Sequence, residues 1–448
     1  PLSPLLFNIF INELAVYLKS FDFGVDIGGE KVCILLYADD IVLLANTENE
    51  LQNLLDELYH WCTDNKMTIN SCKSNVVHFR PTSFERSSHV FKCGDMNIAT
   101  SSEYAYLGLV LNEFLDFSIT AKAVARSANR ALGLVIAKCK AIGGMSYDVY
   151  KKLFDALVSP IVEYGAAIWG CKNFSFINAI QMRACRFFLG VGKYTPNPAI
   201  MGDMGWIPIY HTQWKVIARH WHRLVNMEPD RINRKIFIWA DEVSLKHRIV
   251  KNWNFIVKKH FTELELVDFC NTNTNINKNM FIDTVMSRMF DIYIEEWKSI
   301  VSSSSSRRGN GRNKLRTYNI FKQEYVVENY CKLLMPFCER SAFAKFRCGV
   351  APIRLETGRY ENLPLEERCC FNCFNTVEDE YHVILHCPVY NDLRQVLFTE
   401  SLKIDEHFNS FTDCQKMVFL FSNQDIIRLC AKTCNFILKR RREVLYCK

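Results

Sequence analysis

The sequence predicts an α+β protein, and three observations predict it. Two short apolar runs flank a pair of carboxylates near residue 40, the middle of the chain keeps a helical period with few strand signals, and a Cys/His cluster lies near the C-terminal end. At 448 residues the chain is too long for one ordinary domain. Its 49% apolar and 23% charged residues describe a globular chain and exclude a disordered one. A membrane-spanning helix is excluded too, because no run of about 18 uncharged apolar residues occurs. The start at Pro1, with neither an initiator Met nor a basic-then-apolar leader, predicts no signal peptide and a fragment of a longer protein. Nineteen Cys, an odd number, fit reduced intracellular thiols better than a disulfide framework.

The elements follow in order. Residues 2–18 are apolar and long enough for a buried helix. Residues 32–36 and 41–45 are apolar runs interrupted by Asp39-Asp40, the pattern of a β-hairpin whose turn carries two carboxylates. Thr47-Glu48-Asn49-Glu50 is a capping box, and Leu51, Leu54, Leu55, Leu58, Trp61 and Cys62 then recur at helical spacing. From about 117 to 259 the period is mostly helical: 121–140 is Ala-rich and basic, 147–158 is amphipathic, and 177–189 carries Arg183 and Arg186. Pro196, Pro198 and Pro208 interrupt this run. Residues 301–313, rich in Ser, Arg and Gly, read as a linker before a last segment, 314–448.

Charge divides the chain. Residues 1–112 hold 7 basic against 14 acidic side chains, whereas 119–220 hold 13 basic against 4 acidic. An acidic stretch followed by a basic one suggests metal chemistry first and polyanion binding second. Within the acidic stretch, Tyr37-Ala38-Asp39-Asp40 is the sharpest signal. Adjacent carboxylates on one turn repel each other, and a hard divalent cation such as Mg²⁺ relieves that repulsion while keeping places for phosphate. Two such ions about 3.5–4 Å apart activate a hydroxyl and stabilise a leaving group. A solvated acidic turn is the bland reading; the apolar flanks favour the metal.

Cys370-x₂-Cys373-x₈-His382-x₄-Cys387 is the second constellation. Two thiolates at knuckle spacing with a downstream His and Cys complete a tetrahedral Zn²⁺ site. Cys369 and His386 are adjacent spares, so the register stays open. Four spent ligands leave no open position, which makes such a zinc structural or nucleic-acid-binding; reduced core thiols with an incidental His are the alternative. The basic clusters at 307–316 and 439–442 fit phosphate contacts, a localisation signal, or a solvated linker and helix end equally well.

Pro1-Leu2-Ser3-Pro4-Leu5-Leu6-Phe7-Asn8, followed by Tyr37-Ala38-Asp39-Asp40, Asn70-x-x-Lys73-Ser74 and Tyr106-Leu107-Gly108, resembles the palm of a reverse transcriptase of the non-LTR (LINE-type) retrotransposons. Glu163-Tyr164-Gly165-Ala166-Ala167-Ile168-Trp169-Gly170 and Gln181-x-Arg183-Ala184-x-Arg186 resemble the region that follows in those proteins. Gly358-Arg359-Tyr360, Arg368-Cys369-Cys370 and His386-Cys387-Pro388-x-Tyr390 resemble their C-terminal zinc segment.

The resemblance implies a partial palm over 1–112, a helical thumb-like region over 113–200, a helical connector over 201–300, the linker over 301–313 and a small α+β zinc-knuckle domain over 314–448. It implies RNA-directed DNA polymerisation with RNA template, DNA primer or target and dNTP as partners, no membrane, and a nuclear or cytoplasmic ribonucleoprotein. Asp39 and Asp40 would hold Mg²⁺. Ser3, Asn8 and Tyr37 would lie near template and nucleotide, Lys73 near the nucleotide phosphates, and Gly108 under the primer strand. Cys370, Cys373, His382 and Cys387 would hold Zn²⁺. The palm's further metal-binding Asp and the fingers lie upstream in that family; Asp22 and Asp26 follow the first helix and cannot replace that Asp. This chain alone is therefore expected to be inactive. Two alternatives remain: a non-catalytic nucleic-acid-binding zinc-knuckle protein, and a structural zinc protein with an inert palm.

Overall fold

Helix α1 (Ser3–Lys19) opens with a proline in its first turn, where the missing N–H leaves no hydrogen bond unmade. Its second half buries Ile11, Leu14 and Leu18, but Leu2, Leu5, Leu6 and Ile9 stay more than half exposed. The helix expected from the apolar run forms, and only half of it is buried. The computed structural model describes residues 2–247, 252–270, 277–303 and 314–446.

Strands β1 (Val25–Ile27) and β2 (Glu30–Val32) pair antiparallel, as do β3 (Ile34–Tyr37) and β4 (Asp40–Leu43). Helix α2 (Glu48–Asp64) starts where Thr47 accepts from the Glu50 N–H at 3.2 Å. Glu50 closes the cap on the Asn46 N–H at 3.1 Å, one residue before the usual capping-box partner. Its apolar stripe is buried as spaced: Leu54, Leu58, Trp61 and Cys62 pack with Ile11, Leu14, Leu18, Cys33 and Ile34 in one core. Beyond it, β5 (Asn75–Val76), β6 (Phe91–Cys93) and β7 (Met96–Thr100) form a sheet of order β5-β7-β6, and β8 (Glu103–Tyr106) and β9 (Leu109–Asn112) form a last hairpin.

The middle is helical, as its period predicts. Helices α3 (Phe117–Ala141), α4 (Tyr147–Leu157), α5 (Ser175–Leu189), α6 (Asn197–Met204), α7 (Ile209–Val225), α8 (Ile232–His247), α9 (Trp253–Glu263) and α10 (Lys278–Ser303) follow, with short turns of helix at Ser159–Glu163 and Ala166–Trp169. The prolines punctuate rather than break: Pro196 caps α6, Pro198 sits in its first turn and Pro208 directly precedes α7. Gly165 (φ +62°) lies against β9, where a Cβ would stand 2.5 Å from Leu109 Cδ1. Of the expected linker, 301–303 end α10 and 304–313 fall outside the described residues. The last stretch holds α11 (Phe337–Arg347), α12 (Asn391–Ile404), α13 (Asp413–Ser422) and α14 (Ile427–Tyr446), and its β component is one antiparallel bridge, Cys369 with Val377.

These elements form two compact units interleaved in sequence, one of Pro1–Ala123, Gly165–Lys172 and Val216–Ile282, the other of Val124–Tyr164, Asn173–Lys215 and Asp283–Lys448. In the first, Trp221 meets the rings of Phe237, Trp253 and Phe261. In the second, Tyr150, Phe154, Phe188 and Trp206 share a core. That unit also buries an ionic network: Asp203 and Arg347, both fully buried, pair at 3.3 Å, and the hydroxyls of Tyr318 and Tyr330 donate to Asp203. Seventeen of the cysteines are free thiols, and among the described residues no helix is long and apolar enough to cross a membrane.

Candidate active site and metal centre

The β3–β4 hairpin turns through Ala38 and Asp39, with Tyr37 opposite Asp40. So short a loop between antiparallel strands favours positive φ at its first position, normally a glycine. Here Ala38 takes φ +52°, at a cost of roughly 1–2 kcal/mol. The result is two consecutive carboxylates at one tip, Asp39 in the loop and Asp40 at the start of β4, both exposed. Leu36, Ile41 and Leu43 pack the hairpin's base against the core of α1 and α2. A firm base under an exposed acidic tip is the arrangement the apolar flanks predict. Among the described residues no third carboxylate, His or Cys joins the pair. The tip therefore offers a hard cation oxygen ligands and leaves most of its coordination open.

The β8–β9 hairpin stands beside it. Burial first, and then the charge of Asp40, pushes the Tyr106 hydroxyl up. Leu107 and Gly108 both take positive φ, +46° and +79°, the two-residue turn that matches strand twist. Two residues back, on the same face of β8, the Tyr104 hydroxyl donates to the Lys73 carbonyl at 2.9 Å, and the Lys73 N–H returns to Asn70. Lys73 and Gly108 are exposed. The structure thus links the Lys73 loop, the Gly108 turn and Asp40 through Tyr106, which belongs to the quoted Tyr106-Leu107-Gly108 motif, and Tyr104, which the sequence reading did not single out. Period-two spacing on β8 was the available signal. Tyr37 is 62% exposed beside the acidic tip. Ser3 and Asn8 are exposed on the first half of α1, and no hydrogen bond or ion pair ties them to the two turns among the described residues. Pro1 lies outside the described residues.

In the second unit, Cys370, Cys373, His382 and Cys387 bring one ligand atom each to within 4.8 Å of one another. Cys370 and Cys387 Sγ are 3.9 Å apart, close to the roughly 3.8 Å that two 2.3 Å Zn–S bonds at a tetrahedral angle require. The Cys370 N–H donates to the Thr376 carbonyl and the Phe374 N–H to the Cys370 carbonyl, which folds the knuckle. His382–His386 is a π-turn, closed by the Cys387 N–H on the His382 carbonyl at 2.7 Å. Buried Arg394 donates to the carbonyls of Ile384 and Cys387 and holds that turn. The spares point elsewhere: Cys369 Sγ donates to the Glu366 carbonyl, and His386 pairs with Asp413 at 2.7 Å.

Burial pushes the Cys387 thiol up to about 12, and burial together with Cys370 raises Cys373. Burial lowers His382, whose Nε2 is enclosed without a hydrogen-bond partner. A neutral imidazole with an unused lone pair among three close sulfurs fits Zn²⁺, whose charge would compensate the thiolates.

A third feature lies along α3. Lys122, Arg126, Arg130 and Lys138 are exposed at spacings of four and eight, and the helix contains no acidic residue. Arg183, exposed on α5, donates to Asn129 at 3.0 Å and joins this face.

With this geometry in hand, residues 1–111 match the family described as reverse transcriptase (RNA-dependent DNA polymerase). That segment is similar to the reverse transcriptases. Among curated proteins, the chain is 26% identical over 252 residues to a probable RNA-directed DNA polymerase from transposon BS of Drosophila melanogaster, covering 53% of this chain and 26% of that protein. It is 27% identical over 143 residues to a putative uncharacterized transposon-derived protein of Caenorhabditis elegans, covering 32% of this chain and 50% of the relative. It is also 30% identical over 122 residues to a retrovirus-related Pol polyprotein from the type-1 retrotransposable element R2 of Nasonia vitripennis, covering 25% of this chain and 12% of that protein. The chain spans between an eighth and a half of these relatives. The acidic tip, the Lys73 loop and the Gly108 turn all fall inside the matched reverse-transcriptase segment.

Proposed function

We propose that this chain is the C-terminal portion of a non-LTR retrotransposon reverse transcriptase and carries the second half of its palm. The reaction is RNA-templated transfer of a deoxynucleotide to a primer 3′-hydroxyl, in an element ribonucleoprotein of the nucleus or cytoplasm. The observation that carries this reading is the strained two-residue turn. It mounts Asp39 and Asp40 side by side on a packed hairpin within the family-matched segment. When bound, two Mg²⁺ ions would activate the primer hydroxyl and stabilise the leaving pyrophosphate. Asp39 and Asp40 supply their ligands from one side. Lys73 stands over the nucleotide phosphates, and Ser3, Asn8 and Tyr37 line the template and nucleotide side. Gly108 lets the primer backbone approach its turn. The α3 stripe grips primer–template phosphates without reading sequence. We assign the thumb-like region to 113–200, the connector to 201–300 and the zinc knuckle to the Cys370, Cys373, His382 and Cys387 cluster of 314–448.

Two carboxylates hold only part of a two-ion site, and misplacing one ion removes most of the transition-state stabilisation. Primer extension on an RNA template is the test. The chain alone gives no product. A chimera that places the segment preceding the matched region of the Drosophila relative before Pro1 restores extension, and Asp39→Asn abolishes it again. Robust extension by the chain alone, or by the Asp39→Asn chimera, overturns this assignment of ligands. A chimera that binds primer–template but never extends it favours the non-catalytic binding protein instead.

A further inference from the structure

The structure divides the basic run at the end of α14. Arg441 turns inward and places two nitrogens on the Glu378 carboxylate at 2.9 and 2.6 Å, and Arg440 pairs with Asp392. Lys439 and Arg442 stay exposed. They continue a stripe in which Arg428, Lys432 and Phe436 are also exposed, while Cys430, Ala431, Cys434, Ile437 and Leu438 are buried behind it. From Arg428 to Arg442 the stripe runs about 21 Å. Among the described residues none of its four cations forms an ion pair. Glu443 is the helix's one acidic residue.

Phe436, 40% exposed, sits between Lys432 and Lys439, whose Nζ atoms lie 5.8 and 5.7 Å from the ring centroid. Lys345 of α11 is close enough to Arg442 to feel its charge, so a further cation borders the stripe.

We propose that this face of α14 binds single-stranded nucleic acid, with its cations on successive phosphates and an unstacked base on Phe436. Cations alone would suit any polyanion; the exposed ring between them selects for a free π-face, which a duplex keeps inside its stack. The two lysines hold the empty ring by cation–π attraction and move to phosphates when a base takes their place. A membrane surface is disfavoured, because a helix that lies in a bilayer interface needs a broad apolar outer face and this stripe has one aromatic. The site requires neither the acidic turn nor zinc, so failure of primer extension leaves it standing.

The test uses the full chain and fluorescence anisotropy with a labelled 15-nucleotide oligouridylate and a labelled 15-base-pair duplex. F436A weakens oligouridylate binding roughly five- to a hundredfold, the range of one lost base stack, and leaves the duplex within twofold. K432Q/K439Q lowers the slope of log affinity against log salt by about 1.4, or about 0.7 per cation on a single strand. F436L, which keeps apolar bulk without the π-face, should reproduce the loss seen in F436A, which assigns that loss to the missing stack and not to a disturbed helix. Wild-type single-strand affinity in both F436L and K432Q/K439Q overturns the proposal. So does an equal loss on duplex and single strand in F436L, or a loss in K432Q/K439Q confined to phosphatidylserine vesicles.

Discussion

Removing the Cys387 thiol is the most informative perturbation of the metal centre, because it separates the four converging ligands from the two spares. Cys387 is fully buried and 3.9 Å from Cys370. Structural zinc sites of this kind bind with an apparent 10–16 kcal/mol near pH 7. An even share per ligand is about 2.5–4 kcal/mol, so Cys387→Ala should weaken zinc binding roughly a hundred- to a thousandfold. Metal analysis of the full chain, purified without chelator, should give about one zinc per chain, and competition with a chromophoric chelator reads the affinity. Cys369→Ala and His386→Ala should leave both unchanged, since those side chains are held by the Glu366 carbonyl and Asp413. The pH dependence has a definite sign. Burial holds the Cys387 thiol well above its ordinary range in the metal-free cluster, so losing its proton opposes zinc binding near pH 7. Apparent affinity should therefore fall as pH falls, because protons compete for the thiolates. Wild-type zinc content in Cys387→Ala, or its loss in Cys369→Ala, would refute this register.

Charge reversal of Arg126 and Arg130 should weaken primer–template binding at 50 mM salt and flatten its salt dependence by about 0.9 per lost phosphate contact; unchanged binding with a salt-independent affinity excludes α3 as a grip. Asp203→Ala should cost roughly 3–5 kcal/mol in urea unfolding, because Arg347 keeps its buried charge without its main carboxylate. Glu328, 3.1 Å from Arg347, places the value toward the lower end, and a loss below about 1 kcal/mol would show the network to be dispensable. Ala38→Gly should stabilise the first unit by about 0.5–1 kcal/mol, the relieved strain less the entropy a glycine adds to the unfolded chain; a destabilisation would mean that the turn is not strained.

The acidic hairpin was legible because apolar residues on both sides of two carboxylates leave few other ways to bury the chain. Helix α2 was legible because its cap and its stripe agree. Helix α1 shows the limit of such reading. An apolar run states what a segment avoids, not what stands opposite, and Leu2, Leu5, Leu6 and Ile9 find no cover among the described residues. The zinc register was illegible for a different reason: Cys369 and Cys370, or His382 and His386, are chemically equivalent in sequence. Backbone geometry separates them. The Cys369–Val377 bridge makes that segment extended, so neighbouring side chains face opposite ways and only Cys370 turns inward. The π-turn does the same for the second half. Its bond from residue 387 back to residue 382 returns Cys387 to His382 and leaves His386 outside.

The two sites also differ in what they leave open. The Cys/His cluster brings together four ligands, a complete tetrahedral set, so a metal held there would have no position for substrate. The Asp39–Asp40 tip is exposed and brings two carboxylates with no third partner among the described residues, so a cation there must take its remaining ligands from phosphate, water or another protein segment. Strain lies on the same side of this division. Ala38 occupies a left-handed conformation where a glycine would fit without cost, and the packed strands below hold it there.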